Sequence, residues 1–209
     1  MVIRLTGEWK EGYAIDKHSL SSTYLGEDNY GHPTFDTKRS EIGELIYQLK
    51  YQKNKNIIND IMKLVKPVLN QWKIGEKVDI LIPIPPTDSS RKFQPVFLIA
   101  EAISDYLNIP MSTQVLKKSK QRQLKNASID KKLDTIKGSI IKERNFKKRV
   151  NILLVDDVFD SGVTLNETVN VLKNDINVAE VYVLVMTQTR RRWYMNVFIA
   201  GPRSISKLN

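Results

Sequence analysis

The chain has 209 residues, a hydrophobic fraction of 41%, no cysteine, two histidines and a formal net charge of +10. That length suits one domain with a sizeable core, with or without a small appendage, and the apolar fraction excludes a disordered chain. Lack of cysteine excludes disulfides, thiolate metal sites and cysteine nucleophiles, and His18 and His32 are too few for a histidine-rich metal centre and read as surface residues. No apolar run approaches the roughly 18 residues that cross a bilayer, and the start MVIRLTGEWK lacks the apolar core of a signal peptide, so a cytoplasmic protein without a membrane partner is expected.

In chain order, residues 1–40 are expected to form a small β-rich cap or hood, and residues 41–209 an α/β domain. VIRL, GEWKEGYAI and SSTYLG are short strand-like runs punctuated by Gly7, Gly12, Gly26 and Gly31, and DNYGHPT reads as a turn. Trp9, Tyr13 and Tyr24 either fill a small core, the commoner fate of such rings, or stack on a ligand. Glu41 to Tyr51 read as a helix with Ile42, Leu45, Ile46 and Leu49 on one face and Ser40 as its N-cap. A second helix is predicted from Asn56 to Gln71 with Ile57, Ile61, Leu64, Val65 and Val68 turned inward, and Pro67 threatens a kink.

From Val78 strand and helix alternate. VDILIPI is a strand, Phe93 to Leu107 a helix, MSTQVL a short strand, NILLV a strand, Thr164 to Asn174 a helix and Glu180 to Thr187 a strand. This order predicts a mostly parallel sheet with helices on both faces and ligand sites at the carboxyl ends of strands. The tail from Arg190, including RRRWYMNVFIAG, is a candidate edge strand. Between Lys117 and Arg149 thirteen Lys or Arg face three acids, which equals the excess of the whole chain. Such a block makes a positive field that attracts polyanions, a pyrophosphate group or a nucleic acid backbone.

The most informative stretch is NILLVDDVFDSGVTL, from Asn151 to Leu165. Ile152 to Val155 suit a strand buried on both faces, and Asp156 and Asp157 follow at once. Carboxylates at the end of a buried strand are costly unless cations or hydrogen-bond donors meet them, so hydroxyls and metal ions are their natural partners. The turn from Asp160 to Thr164 leads into a helix N-terminus, where unpaired N–H groups and the helix dipole favour an anion, while Gly162 permits close approach and Ser161 and Thr164 add hydroxyls. Together these are the two halves of a grip on a sugar phosphate. Asp160 or Ser161 equally reads as an ordinary helix cap.

This segment resembles the phosphoribosyl pyrophosphate (PRPP) motif of type I phosphoribosyltransferases. The resemblance implies that Asp156 and Asp157 hold the ribose hydroxyls, directly or through a metal ion, and that Asp160, Ser161, Gly162, Val163 and Thr164 cradle the 5′-phosphate. It also implies a type I phosphoribosyltransferase fold, Mg²⁺ as cofactor, and PRPP and pyrophosphate as ligands. The PPTDSS loop after VDILIPI, with Pro85, Pro86 and Thr87, is then placed to receive the pyrophosphate, since its prolines stiffen the turn and its hydroxyls donate to phosphate oxygens.

The order of parts, LIPIP with its proline loop, KKSKQRQLKNASIDKK, TIKGSI and then the PRPP motif, resembles the ComF branch of this family over about residues 39–189. LKY at Leu49 to Tyr51 is a weaker sign of the same branch. The branch implies a mobile loop carrying Lys118, Lys120 and Gln121, whose lysines would neutralise the departing pyrophosphate. Two features depart from it. The cysteine-rich zinc segment common in ComF proteins is missing, and DSG stands where paired threonines before glycine are usual. An Asp at position 160 is similar to the purine salvage enzymes, where it serves beside the base, so Asp160 joins Lys118 and Lys120 as a catalytic candidate.

The expected activity is Mg²⁺-dependent displacement of pyrophosphate from ribose C1 by an unidentified nitrogen acceptor. One alternative is a non-catalytic PRPP-binding or regulatory protein in DNA uptake or processing, with single-stranded DNA or DNA-handling proteins as partners and a homodimer as an open possibility; another is a purine salvage enzyme. Few aromatics interleave with the basic block, which speaks against stacking on single strands.

Overall fold

The computed structural model of the chain describes residues 1–86, 93–119 and 139–189. Nine strands and four α-helices occur among these. β1 (Ile3–Arg4) and β2 (Glu11–Lys17) come first, and a hairpin of β3 (Ser19–Glu27) and β4 (Pro33–Arg39) follows. Next are α1 (Glu41–Tyr47), extended by a π-helical turn over Gln48–Gln52, and α2 (Ile58–Trp72). β5 (Ile80–Pro83), α3 (Pro95–Leu107), β6 (Leu116–Lys118), β7 (Ile140–Lys142), β8 (Val150–Phe159), α4 (Val163–Lys173) and β9 (Val178–Gln188) complete the order.

The central sheet runs β1-β2-β9-β8-β5 and is parallel except for β1 on β2. Its β8 is buried on both faces because alternate residues serve two cores. Leu153 and Val155 pack with Leu184 and Met186 of β9 beneath α1, α2 and α3, while Ile152 and Leu154 pack with Val183 and Val185 against Leu165, Val169 and Leu172 of α4. Helices thus cover both faces of a mostly parallel sheet, the α/β fold that the alternation predicted.

The first forty residues differ from a self-contained cap. β2 pairs in parallel with β9, Glu11 opposite Tyr182 through Lys17 opposite Gln188, and so belongs to the central sheet. Trp9 is buried in the α4-side core, where its ring meets Phe159 edge-on at 6.2 Å, and Tyr13 packs on Trp72 at 4.8 Å. Only β3 and β4 stand apart, as a two-stranded ribbon on which Tyr24 and Phe35 meet at 5.6 Å. What remains of the hood is that ribbon, residues 19–39. The partner of β2 lies about 170 residues downstream in sequence, and local periodicity carries no trace of so distant a pairing.

Other elements shift less. Ser40 caps α1 as expected, its hydroxyl accepting from the Gly43 N–H at 3.0 Å. Pro67 sits within α2 at an exposed position, and Lys63, whose carbonyl it leaves without a helical partner, is exposed as well. The expected MSTQVL strand divides: Met111 makes an isolated parallel bridge to Leu81, and β6 begins only at Leu116, pairing antiparallel with β7. The RRRWYMNVFIAG tail from Arg190, like Thr87, Lys120 and Gln121, lies outside the described residues.

β7 is fastened to the far end of α4 by an ion pair between Lys142 and Asp175, both nearly inaccessible. Hydrogen bonds from Lys142 and from the Phe146 and Asn177 N–H groups hold the Asp175 carboxyl down at about 2, against an ordinary 3.8. A lowered carboxyl stabilises the fold above its unfolded-state value, and that contribution is lost as pH falls through about 4 toward 2. Asp175→Asn leaves the Lys142 ammonium buried without a counter-charge and is expected to cost about 3 kcal/mol in urea unfolding at neutral pH. The same variant should flatten the acid limb of stability against pH; an unchanged limb would remove Asp175 as its source.

Candidate functional site

Two crossovers of opposite sense create an opening at the carboxyl end of the sheet. From β5 the chain passes through α3 on one face and returns at Met111 beside β5, whereas from β8 it passes through α4 on the other face and returns as β9. Their loops therefore diverge between β5 and β8, the switch point at which open α/β sheets take ligands. The last link between the two strands is the Ile84 N–H donating to the Val155 carbonyl at 2.9 Å. Beyond it Pro85 and Pro86 turn away, and β8 continues alone on that side through Asp156 to Phe159, held on its other side by β9. The strand is longer than the NILLV run suggested, because Val158 and Phe159 still pair with Thr187 and Gln188.

A cleft of about 740 Å³ fills this opening. It brings together Asp156, Asp157, Asp160, Ser161, Gly162 and Thr164 from the β8–α4 segment, Pro85 and Pro86 from the loop after β5, and Lys118 from β6. Val163 is the first residue of α4. No residue of the first forty lines this cleft, so Trp9, Tyr13 and Tyr24 are not its aromatic walls.

At the turn into α4 the N-cap position is held by Gly162, with φ +78°, and no side chain caps the helix. Neither Asp160 nor Ser161 therefore fills the capping role that the sequence left open. The Asp160 carboxylate instead accepts from the Thr189 hydroxyl at 2.6 Å, which ties the turn to the end of β9. A Cβ on Gly162 would lie 2.9 Å from the Phe159 ring, so the residue is needed for both its backbone conformation and its lack of side chain. The first N–H groups of α4 have no partner within the helix, and with its dipole they make an end that favours negative charge and opens on the cleft.

The acidic pair is electrostatically strained. Burial, reinforced by the neighbouring Asp157 carboxylate, pushes Asp156 up to about 7, against the Asp157 N–H that donates to it at 2.8 Å and the charges of Lys50 and Lys118. Lys50 also lines the cleft, and the sequence flagged it only through LKY. The π-helical turn after α1 brings its ammonium to 3.0 Å from Asp157 Oδ2. Behind the pair, the Thr187 hydroxyl donates to the Asp157 carbonyl at 3.2 Å and so accepts from His18 Nδ1 at 3.1 Å. His18 is half-buried, not on the surface as expected, and its pKa is lowered by desolvation and by Arg39 and Lys50, which suits the neutral ring of that relay.

Among the described residues no group of three or more His, Asp or Glu is arranged to hold a metal ion by itself. Two adjacent carboxylates are nevertheless a donor set that fits Mg²⁺, which binds through one or two carboxylates together with substrate phosphates and water.

A family model for a phosphoribosyl transferase domain matches residues 48–200. No curated protein matches the sequence. Among solved structures, the chain is similar to an adenine phosphoribosyltransferase with TM-score 0.45 and 11% identity, over 82% of this chain and 86% of that one. The Saccharomyces cerevisiae adenine phosphoribosyltransferase gives 0.44 and 11%, over 82% and 94%. The glutamine PRPP amidotransferase from B. subtilis gives 0.41 and 16%, over 76% of this chain and only 34% of that one. No helix among the described residues is long and apolar enough to cross a membrane.

Gly162→Ala should cost about 1–2 kcal/mol in urea unfolding, since it places an L side chain in the left-handed region and against the Phe159 ring. Full stability in that variant would show that the turn relaxes freely.

Proposed function

The chain belongs to the phosphoribosyl transferase domain family, and from that premise we propose that the cleft binds PRPP and transfers its phosphoribosyl group to a nitrogen acceptor. Family membership makes the protein a transferase of phosphoribosyl groups in general; the roles of individual residues, the metal and the ComF-like character are the proposed part. The observation that carries the reading is that the Asp156–Asp157 pair and the uncapped N-terminus of α4 both line one cleft. A ligand with hydroxyls at one end and a phosphate at the other satisfies both.

In this reading Asp156 and Asp157 accept hydrogen bonds from the ribose hydroxyls, and the segment Asp160 to Thr164 receives the 5′-phosphate through backbone N–H and hydroxyl groups. Pyrophosphate lies toward Pro85 and Pro86, and Thr87 would follow in that loop. The nitrogen lone pair of the acceptor forms a bond to ribose C1 as the C1–O bond breaks, and the bonding electrons leave on the pyrophosphate oxygen. Positive charge builds on the sugar during this step, and in this reading the partly buried carboxylates stabilise it. Lys118 supplies charge on the pyrophosphate side, with Lys120 as its sequence neighbour. In the same reading Asp160 takes the proton that the acceptor nitrogen sheds. Mg²⁺ held by Asp156 and Asp157 would supply further neutralisation of the pyrophosphate charge.

The branch that lacks turnover, a PRPP-binding regulator of DNA handling, draws support from one observation. Lys147, Lys148 and Arg149 are exposed just before β8, at the end of the sheet opposite the cleft, so a polyanion could bind there without displacing PRPP. Purine salvage draws support from Asp160 alone. Incubation with PRPP and a panel of bases separates the enzymes from the regulator, because only the enzymes release pyrophosphate, and release confined to purines marks salvage.

Calorimetric titration with PRPP and Mg²⁺ is expected to give saturable binding, weakened about tenfold or more in Asp157→Asn, which loses a charged hydrogen-bond acceptor. A folded protein that gives no heat at millimolar PRPP would refute the reading.

A further inference from the structure

The cleft has an exposed aromatic wall for which the phosphoribosyl grip has no use. Tyr51 is 70% exposed, and of the large apolar side chains exposed among the described residues it alone lines the cleft. The π-helical turn that carries it also carries Lys50, so the ring sits one residue from the ammonium that meets Asp157. Such turns are uncommon and cluster at functional sites.

The ring is also supported from behind. Tyr51 and Tyr47 have centroids 4.9 Å apart with planes tilted by 39°, and the Arg39 guanidinium lies 3.8 Å from the centre of the Tyr47 ring. Arg39 in turn pairs with Glu44 at 3.4 Å. A column of this kind limits the movement of an exposed ring, which lowers the entropy lost when a ligand settles on it.

We propose that Tyr51 is a specificity-determining residue for the acceptor: its ring is the platform on which a planar heteroaromatic acceptor stacks, with its nucleophilic nitrogen directed toward ribose C1 of the PRPP held by the acidic pair. The inference rests on the reading of the cleft as a PRPP site. It selects among nitrogen acceptors, because ammonia and aliphatic amines have no π-face and gain nothing from the ring. A base stacked on an aromatic side chain gains a contribution that does not depend on sequence-like hydrogen-bond readout, so the platform sets the class of acceptor and other groups in the cleft set its identity.

The test measures pyrophosphate release from PRPP and Mg²⁺ with adenine, hypoxanthine, orotate or ammonium chloride as acceptor, in the full chain and in Tyr51→Ala and Tyr51→Phe. At least one heterocycle is expected to support release. Tyr51→Ala should raise the KM for that heterocycle about tenfold and leave the KM for PRPP within about twofold, while Tyr51→Phe, which keeps the ring, restores the acceptor KM. The unchanged PRPP value also reports that the variant is folded. Release with ammonium alone, silence with all three heterocycles in a protein that binds PRPP, or an acceptor KM indifferent to Tyr51→Ala would each overturn the proposal. Failure of the unaltered protein to bind PRPP would overturn the underlying reading instead.

Discussion

Two carboxylates adjacent in sequence, at a strand end that is shielded from water, repel each other and lose hydration, and the cleft is organised around meeting that cost. Asp156 is driven up to about 7 by burial and by Asp157, so the pair is held short of its full double charge. Lys50 answers from the turn after α1, and Lys118 from β6 adds a weaker field. These cations come from separate elements of the chain, and only the completed fold assembles them. The unliganded site is thus neutralised in part from within, and a ligand that binds there has to compete with Lys50 for Asp157 or recruit it.

The opening beside the pair follows from topology. β8 outlasts β5 by the residues from Asp156 to Phe159, and because the crossovers after β5 and β8 lie on opposite faces, nothing in the sheet fills the gap beside them. β9 supports the other edge through Thr187 and Thr189, which bind the Asp157 carbonyl and the Asp160 carboxylate. The strand is rigid on one side and open on the other. That asymmetry lets backbone and side chains of Asp156 to Gly162 face a ligand without losing their register, an arrangement suited to preorganised binding.

The central motif was legible because its signals are local. An apolar run, two acids and a glycine turn lie within fifteen residues, and each has one ready structural meaning. Gly162 illustrates this, since its positive φ and the nearby Phe159 ring both follow from the segment itself. Features that depend on distant partners were not legible. β2 entered the central sheet through pairing with β9, and Trp9 and Tyr13 went with it into the cores, leaving the hairpin of residues 19–39 as the remnant of the expected hood. Lys50 was seen as part of LKY, but its role required the π-helical turn, which periodicity does not reveal.

That turn explains how α1 serves two environments at once. Leu49 is fully buried in the core beneath the sheet, while Lys50 and Tyr51, its immediate successors, line the cleft. Lys53 then ends the turn in the left-handed conformation, and it too lines the cleft. The buried Leu49 anchors the turn, so the charge on Lys50 and the ring of Tyr51 are held at fixed places relative to β8 and do not wander as loop side chains do. A polar neutralising group and an apolar platform, one residue apart, thereby reach the same cleft from a single anchored turn. The charge that meets the acidic pair and the aromatic wall are for this reason mechanically linked, and a shift in α1 would move Lys50 and Tyr51 together relative to β8.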